Sequence, residues 1–229
     1  MIFYIVFIVQ PDKKYKDASL CKKPLTDSIN LLLLFYTNLK IAMPTKGEIF
    51  TDPSSGNVIE FIETSADTGG KYAEFKVTLK MQGPLVPNHY HLFQDEHFEV
   101  ISGKLTYWLD GNTHVIGSGE SILLPKNIPH NHCNNDAEPL VYIHKATPGL
   151  DFDYFKETLG GLGTDGKLNN GKPKLVQQLF FSRYLESKSL GAGIPVFLQK
   201  LLQGIICPIA RLFGLKAIYQ KYSGINNPS

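Results

Sequence analysis

From residue 43 to residue 146 the chain is built of short alternating runs separated by turn clusters. Residues 71–81 carry Ala73, Phe75, Val77, Leu79 and Met81 on one face and Tyr72, Glu74, Lys76, Thr78 and Lys80 on the other, the period of two that a half-buried strand requires. Turn signals at 52–56 and 66–70 bracket a further strand over 58–63. Strands are also expected over 85–91, 96–102, 104–109, 113–116, 120–124, 130–134 and 140–146, with Asp110 and Gly111 turning one hairpin. About nine short strands at this rhythm predict a mainly β fold, a jelly-roll barrel or sandwich.

After Pro148 the period becomes helical. Helices are expected over 150–159, 175–185 and 194–215, with a Gly-, Asn- and Lys-rich linker over 160–174. The last helix aligns Leu198, Leu201, Leu202, Ile205, Ile209, Leu212 and Phe213 along one stripe. Pro195 suits its start, and Pro208 should kink or split it. The stripe is expected to pack on the β domain or on a second subunit. The alternative is peripheral contact with a membrane, Lys200, Arg211, Lys216 and Lys221 forming the basic rim of an interfacial helix.

Residues 1–42 hold two apolar runs, residues 1–9 and 29–42, and the first is far short of the ~20 residues that span a bilayer. The first run is followed, not preceded, by Lys13, Lys14 and Lys16, unlike a signal peptide. The second, behind Cys21, Lys22 and Lys23, would read as a secretory signal only from a late start. The preferred expectation is a native start at Met43, and peptides from residues 14–40 in the native protein would refute it. The organisation expected is therefore an unstructured or partly helical extension (1–42), a β domain (43–148) and a helical C-terminal extension (149–229).

A chain of 229 residues, 43% apolar, supports one domain with appendages. Its net charge of +2, mixed in sign, argues against a nucleic-acid footprint. Cys21, Cys133 and Cys207 are odd in number and widely spaced, which fits a reducing, cytoplasmic setting.

The chemistry concentrates in residues 83–135. His89 and His91 lie two apart in strand-like sequence and so leave the backbone on one face. Glu96 opens the next strand and His130 a later one, so three imidazoles and a carboxylate can converge. Burying them together without a partner would cost several kcal/mol, and a divalent cation satisfies all four.

The spacing resembles the two motifs of the cupin family. Gly83, His89, His91, Glu96 and Gly103 fill the first, and Gly119, Pro125, His130 and Asn134 fill the second. Asn127 stands where the family usually has glycine, and Asn tolerates the positive φ of a tight turn better than other substitutes. Fifteen residues separate the motifs, and the resemblance covers residues 47–147. It implies a single cupin-type jelly-roll β-barrel holding one divalent metal ion on His89, His91, Glu96 and His130. Iron, manganese, nickel, copper and zinc all suit that donor set. It also implies a homodimer, for which the apolar row from Ala73 to Met81 offers a surface.

Strand parity places His132 beside His130 on the inward face, as a general base or a hydrogen-bond partner for substrate. The same parity turns Phe98 and Val100, with Tyr107 or Leu109 of the next strand, toward the cavity and His97 and Glu99 away from it. The functional expectation is a mononuclear metal-dependent oxidoreductase, dioxygenase-like, acting on a small organic substrate. The alternative is a non-catalytic metal or small-molecule sensor whose helices dock to a partner or membrane. A sugar or keto-acid isomerase would share the site, but the expected lining is too apolar for a sugar. No phosphate-binding glycine loop or nucleophile motif is present in the sequence.

Overall fold

The computed structural model describes residues 43–80, 82–84 and 87–222. Residues 1–42 and Met81 lie outside the described residues. The strands are β1 (Ile49–Thr51), β2 (Val58–Glu63), β3 (Ala73–Leu79), β4 (Gly83–Pro84), β5 (His89–His91) and β6 (Asp95–Ser102), followed by β7 (Lys104–Leu109), β8 (Asn112–Gly117), β9 (Ser121–Leu124), β10 (His130–Asn134), β11 (Leu140–Thr147) and β12 (Ser189–Gly191). The helices are α1 (Phe152–Thr164), α2 (Leu175–Tyr184) and α3 (Val196–Leu212), and a short 3-10 turn covers Gln220–Tyr222. One antiparallel sheet runs β1-β2-β3-β11-β6-β9; the other runs β12-β5-β10-β7-β8, with β4 also paired to β10.

Alternation builds the core. Ala73, Phe75, Val77 and Leu79 of β3 are buried, as are Leu140, Tyr142, His144 and Ala146 of β11 and Glu96, Phe98 and Val100 of β6. Register sets Phe75 and Phe98 on either side of His144, so one layer of the core carries an imidazole in the middle of aromatic side chains. Asp110 (φ 46°) and Gly111 (φ 86°) form the two-residue loop joining β7 to β8, both in the left-handed region that such hairpins need.

Three expectations change, and one strand forms where none was expected. The Ala73–Leu79 row is buried inside this chain and offers no surface to a second subunit. The 160–174 segment is not all linker, because α1 continues to Thr164. Its glycines mark close packing: a Cβ on Gly160 would fall 2.5 Å from the Phe50 ring, and one on Gly161 2.2 Å from the Tyr222 ring. The Ser- and Gly-rich segment after α2 contains β12, which pairs Ser189 with His91 and Gly191 with His89.

The last change concerns α3, which passes through Pro208 as one helix and turns its stripe outward. Gln199, Gln203 and Cys207 face the protein, while Phe197, Leu201, Ile205, Ile209 and Leu212 are exposed. The polar face is the anchored one: Gln199 accepts from the Gly191 amide (3.0 Å) and donates to the carbonyls of Gly191 (2.9 Å) and Ile194 (2.7 Å).

Candidate metal centre

β5 supplies His89 and His91, and its single paired position with β10 sets His130 opposite His89. The ring centroids lie 5.2 Å (His89–His91), 4.8 Å (His89–His130) and 5.7 Å (His91–His130) apart. Glu96 arrives from β6, in the other sheet. One ligand atom from each of the four residues lies within 4.8 Å of the rest. Asn127 takes φ 63°, and its amide donates to the His91 carbonyl at 2.8 Å, so the turn before β10 also holds the strand bearing His91.

Hydrogen bonds outside the cluster orient the rings. Nδ1 of His89 donates to the Pro87 carbonyl (3.0 Å) and Nδ1 of His130 to the Ile128 carbonyl (2.8 Å), which aims both Nε2 atoms at the centre. Backbone-fixed imidazoles of this kind are what metal ligation requires. The Glu96 carboxylate has His130 Nε2 at 3.1 Å from Oε2, with His144 Nε2 at 2.8 Å and His91 Nε2 at 3.5 Å from Oε1. The four residues thus fit a divalent ion: neutral nitrogen donors, one carboxylate and fixed orientations.

Charge follows from these contacts. Burial works to raise the Glu96 pKa but is outweighed by His91, His144 and the hydrogen bonds from His130 and His144, so its carboxyl stays well below the usual range. Burial depresses His89 to about 3 and His144 to about 4, and lowers His91. His130 runs the other way: burial lowers it, but its hydrogen bond and charge interaction with Glu96 prevail and raise it.

The cluster opens on a cavity of about 200 Å³ whose wall includes His132, Tyr142, His144, Phe152 and Lys156. His132 is where parity places it, with Nε2 3.0 Å from the Tyr142 hydroxyl and Nδ1 buried without a partner. Burial holds His132 well below its ordinary value, hence neutral. Phe98, Val100 and Tyr107 do not line this cavity. They point inward but belong to the packed core behind it: Phe98 lies 4.6 Å from the His132 ring and 4.5 Å from the His144 ring, and Tyr107 stacks on His114 at 5.0 Å. His144, Tyr142 and Lys156 were not singled out in the sequence. The alternation of β11 contains the first two; a lysine on a helix carries no such signal.

These elements define a class: a two-sheet antiparallel β protein that brings three imidazoles and one carboxylate together, with the capacity to hold a divalent metal ion. Residues 75–144 match the family model described as "Cupin domain", and this segment belongs to the cupin superfamily. Over 79 residues it is 30% identical to quercetin 2,3-dioxygenase of Bacillus subtilis (strain 168), a match covering 34% of this chain and 23% of that protein. Among solved structures it is similar to KdgF from Halomonas sp. (15% identity, 41% of this chain and 79% of that one, TM-score 0.36). It is also similar to a cupin-superfamily sugar phosphate isomerase from Silicibacter pomeroyi (22% identity, 40% and 59%, TM-score 0.35).

Proposed function

We propose that the protein is a mononuclear metal-dependent oxidoreductase of the dioxygenase kind, acting on a small, largely apolar organic substrate within a closed jelly-roll barrel. The observation that carries this reading is the His89, His91, Glu96 and His130 cluster opening on a cavity of about 200 Å³ walled by aromatic side chains. That volume lies below the ~300–1,000 Å³ of pockets for drug-sized ligands, which limits the substrate to something small. The stretch of likeness to quercetin 2,3-dioxygenase supports the choice of reaction class.

A divalent ion held by the cluster would act as a Lewis acid on a substrate enolate or hydroxyl oxygen. His132 then has a definable task. In the tautomer whose Nε2–H donates to the Tyr142 hydroxyl, its Nδ1 lone pair is unpartnered and takes the proton of a substrate hydroxyl. His144 holds the Glu96 carboxylate in place from behind. Phe152 and Phe155 keep water from the cavity wall.

The test is elemental analysis by plasma mass spectrometry of the wild type beside His91→Ala and His130→Ala, with oxygen uptake on small phenols and enols. Wild type is expected to hold about one equivalent of iron, manganese, nickel, copper or zinc, lost in both variants. A wild type that takes up no metal even on reconstitution would end this reading.

A second reading, a binding module docked through α3, is favoured by one observation. Phe197, Leu212 and Phe213 are 73%, 87% and 86% exposed, and residues 187–229 contain no Asp or Glu but do contain Lys188, Lys200, Arg211, Lys216 and Lys221. Among the described residues no helix is long and apolar enough to cross a membrane, so such a helix would lie on the surface. The full chain is expected to co-sediment with vesicles containing phosphatidylglycerol and not with neutral ones, and Ile205→Glu should release it. Equal recovery without vesicles and a dimer in light scattering would assign the same face to a second copy.

A further inference from the structure

Among the described residues Lys156 is the only buried lysine or arginine, and the chemistry above gives it no task. It projects from α1, beyond the matched family segment, and lines the same cavity as the metal cluster. Its Nζ lies 5.2 Å from the ring centre of Phe152 and 5.9 Å from those of Phe75 and Phe155. Among the described residues it has no hydrogen bond and no ion pair; Glu96 acts on it only through its field. Aromatic faces return part of the hydration an ammonium loses on burial, but not its counter-charge. The carboxylate whose charge acts on it, Glu96, is already engaged by His91, His130 and His144. A buried cation so placed is one half of an ion pair.

We propose that Lys156 is an anion subsite in the cavity, and that it takes the carboxylate of a small aromatic or aliphatic acid whose other end reaches the histidine cluster. This deepens the enzymatic reading and rests on its identification of the cavity as the substrate pocket. The Phe152 ring sets the scale. Its centre is 6.0 Å from the His91 ring, 5.3 Å from the His144 ring and 5.2 Å from Lys156 Nζ, so one phenyl ring touches both the cluster and the ammonium. A substrate body of similar size bridges the same two points. Leu159, Leu168 and Phe181 supply the apolar wall along which that body lies. Burial brings Lys156 down to about 8 against the pull of Glu96, so at neutral pH it is still largely charged.

The test is calorimetric titration of the full chain with benzoate and with benzamide, its neutral counterpart, in metal-loaded and in chelator-treated protein. Wild type is expected to prefer benzoate by roughly tenfold or more in both states, the order expected of a hydrogen bond to a charged group. Lys156→Met should abolish that preference while leaving metal content and benzamide binding unchanged, and Lys156→Gln repeats the measurement if the first variant does not fold. Persistence of the preference in the variant overturns the proposal, as does its absence in wild type. A preference present only in metal-loaded protein also overturns it, since the ion would then be taking the carboxylate. Benzoate preference in a protein that never loads metal upholds the subsite and sinks the metal reading, so the two fail separately.

Discussion

Glu96→Gln is expected to weaken metal binding by more than ~100-fold and to bring the His130 pKa below its ordinary value. Replacing an outer partner of a metal ligand already costs ~10–100-fold in affinity, and Glu96 is itself the only anionic ligand of the four. Glutamine keeps the volume and removes the charge. What remains for His130 is burial, the larger effect, which lowers it against only the hydrogen bond to the Ile128 carbonyl, without the carboxylate that now overrides burial. Histidine NMR titration of metal-free protein reads that change directly, and competition with a metal-sensitive dye reads the affinity. If His130 keeps its raised pKa in the Gln variant, Glu96 is not its partner in solution and the cluster as described is wrong.

Acid is expected to destabilise the metal-free protein between pH 6.5 and 4. His144 is depressed to about 4, so the stability its neutral form contributes is fully present above the unfolded value of 6.5 and is lost as pH falls toward 4. At ~1.4 kcal/mol per pKa unit, that residue alone accounts for about 3 kcal/mol. His89, depressed to about 3, acts in the same direction, and Glu96 adds its share as pH falls through its lowered value. His130 opposes them: its pKa is raised, so its contribution is present below 6.5 and disappears as pH rises through the folded value. With two strongly depressed imidazoles, His144 and His89, set against the one raised imidazole, His130, the melting temperature of chelator-treated protein should fall across this range, and Glu96 extends the loss only below its ordinary value of 4.5. Bound metal should add a second loss, because ligand protonation competes with the ion. Melting curves at pH 7, 6, 5 and 4, with and without chelator, test both parts; an unchanged metal-free curve would show that the buried imidazoles do not titrate as described.

How much was legible depended on whether a residue's environment is set locally. The period-two rows put Phe75, Val77, Glu96 and His132 on the correct faces, because strand parity needs no knowledge of the partner strand. The spacing around His89, His91, Glu96 and His130 survives as geometry because each sits at or near a strand start fixed by a turn, Asn127 at φ 63° among them. Parity says inward, however, and not how deep. Phe98 and Tyr107 point inward and end in the core, because the cavity is closed on its other side by Phe152 and Lys156 of α1, whose docking no local pattern announces. The apolar stripe of α3 is legible as a stripe, but it does not pack on the β domain, since the helix is held there through its other face by the hydrogen bonds of Gln199.

The pairing of β12 with β5 has a practical consequence for anyone trimming this protein. The matched family segment ends at residue 144, and a chain cut after Thr147 would look like a complete domain. Such a cut would strip the neighbour from the strand carrying His89 and His91, leaving its amides and carbonyls as an open edge that invites other chains. Insolubility of the shortened chain would then report a missing sheet neighbour, and the smallest fragment worth expressing extends past Gly191.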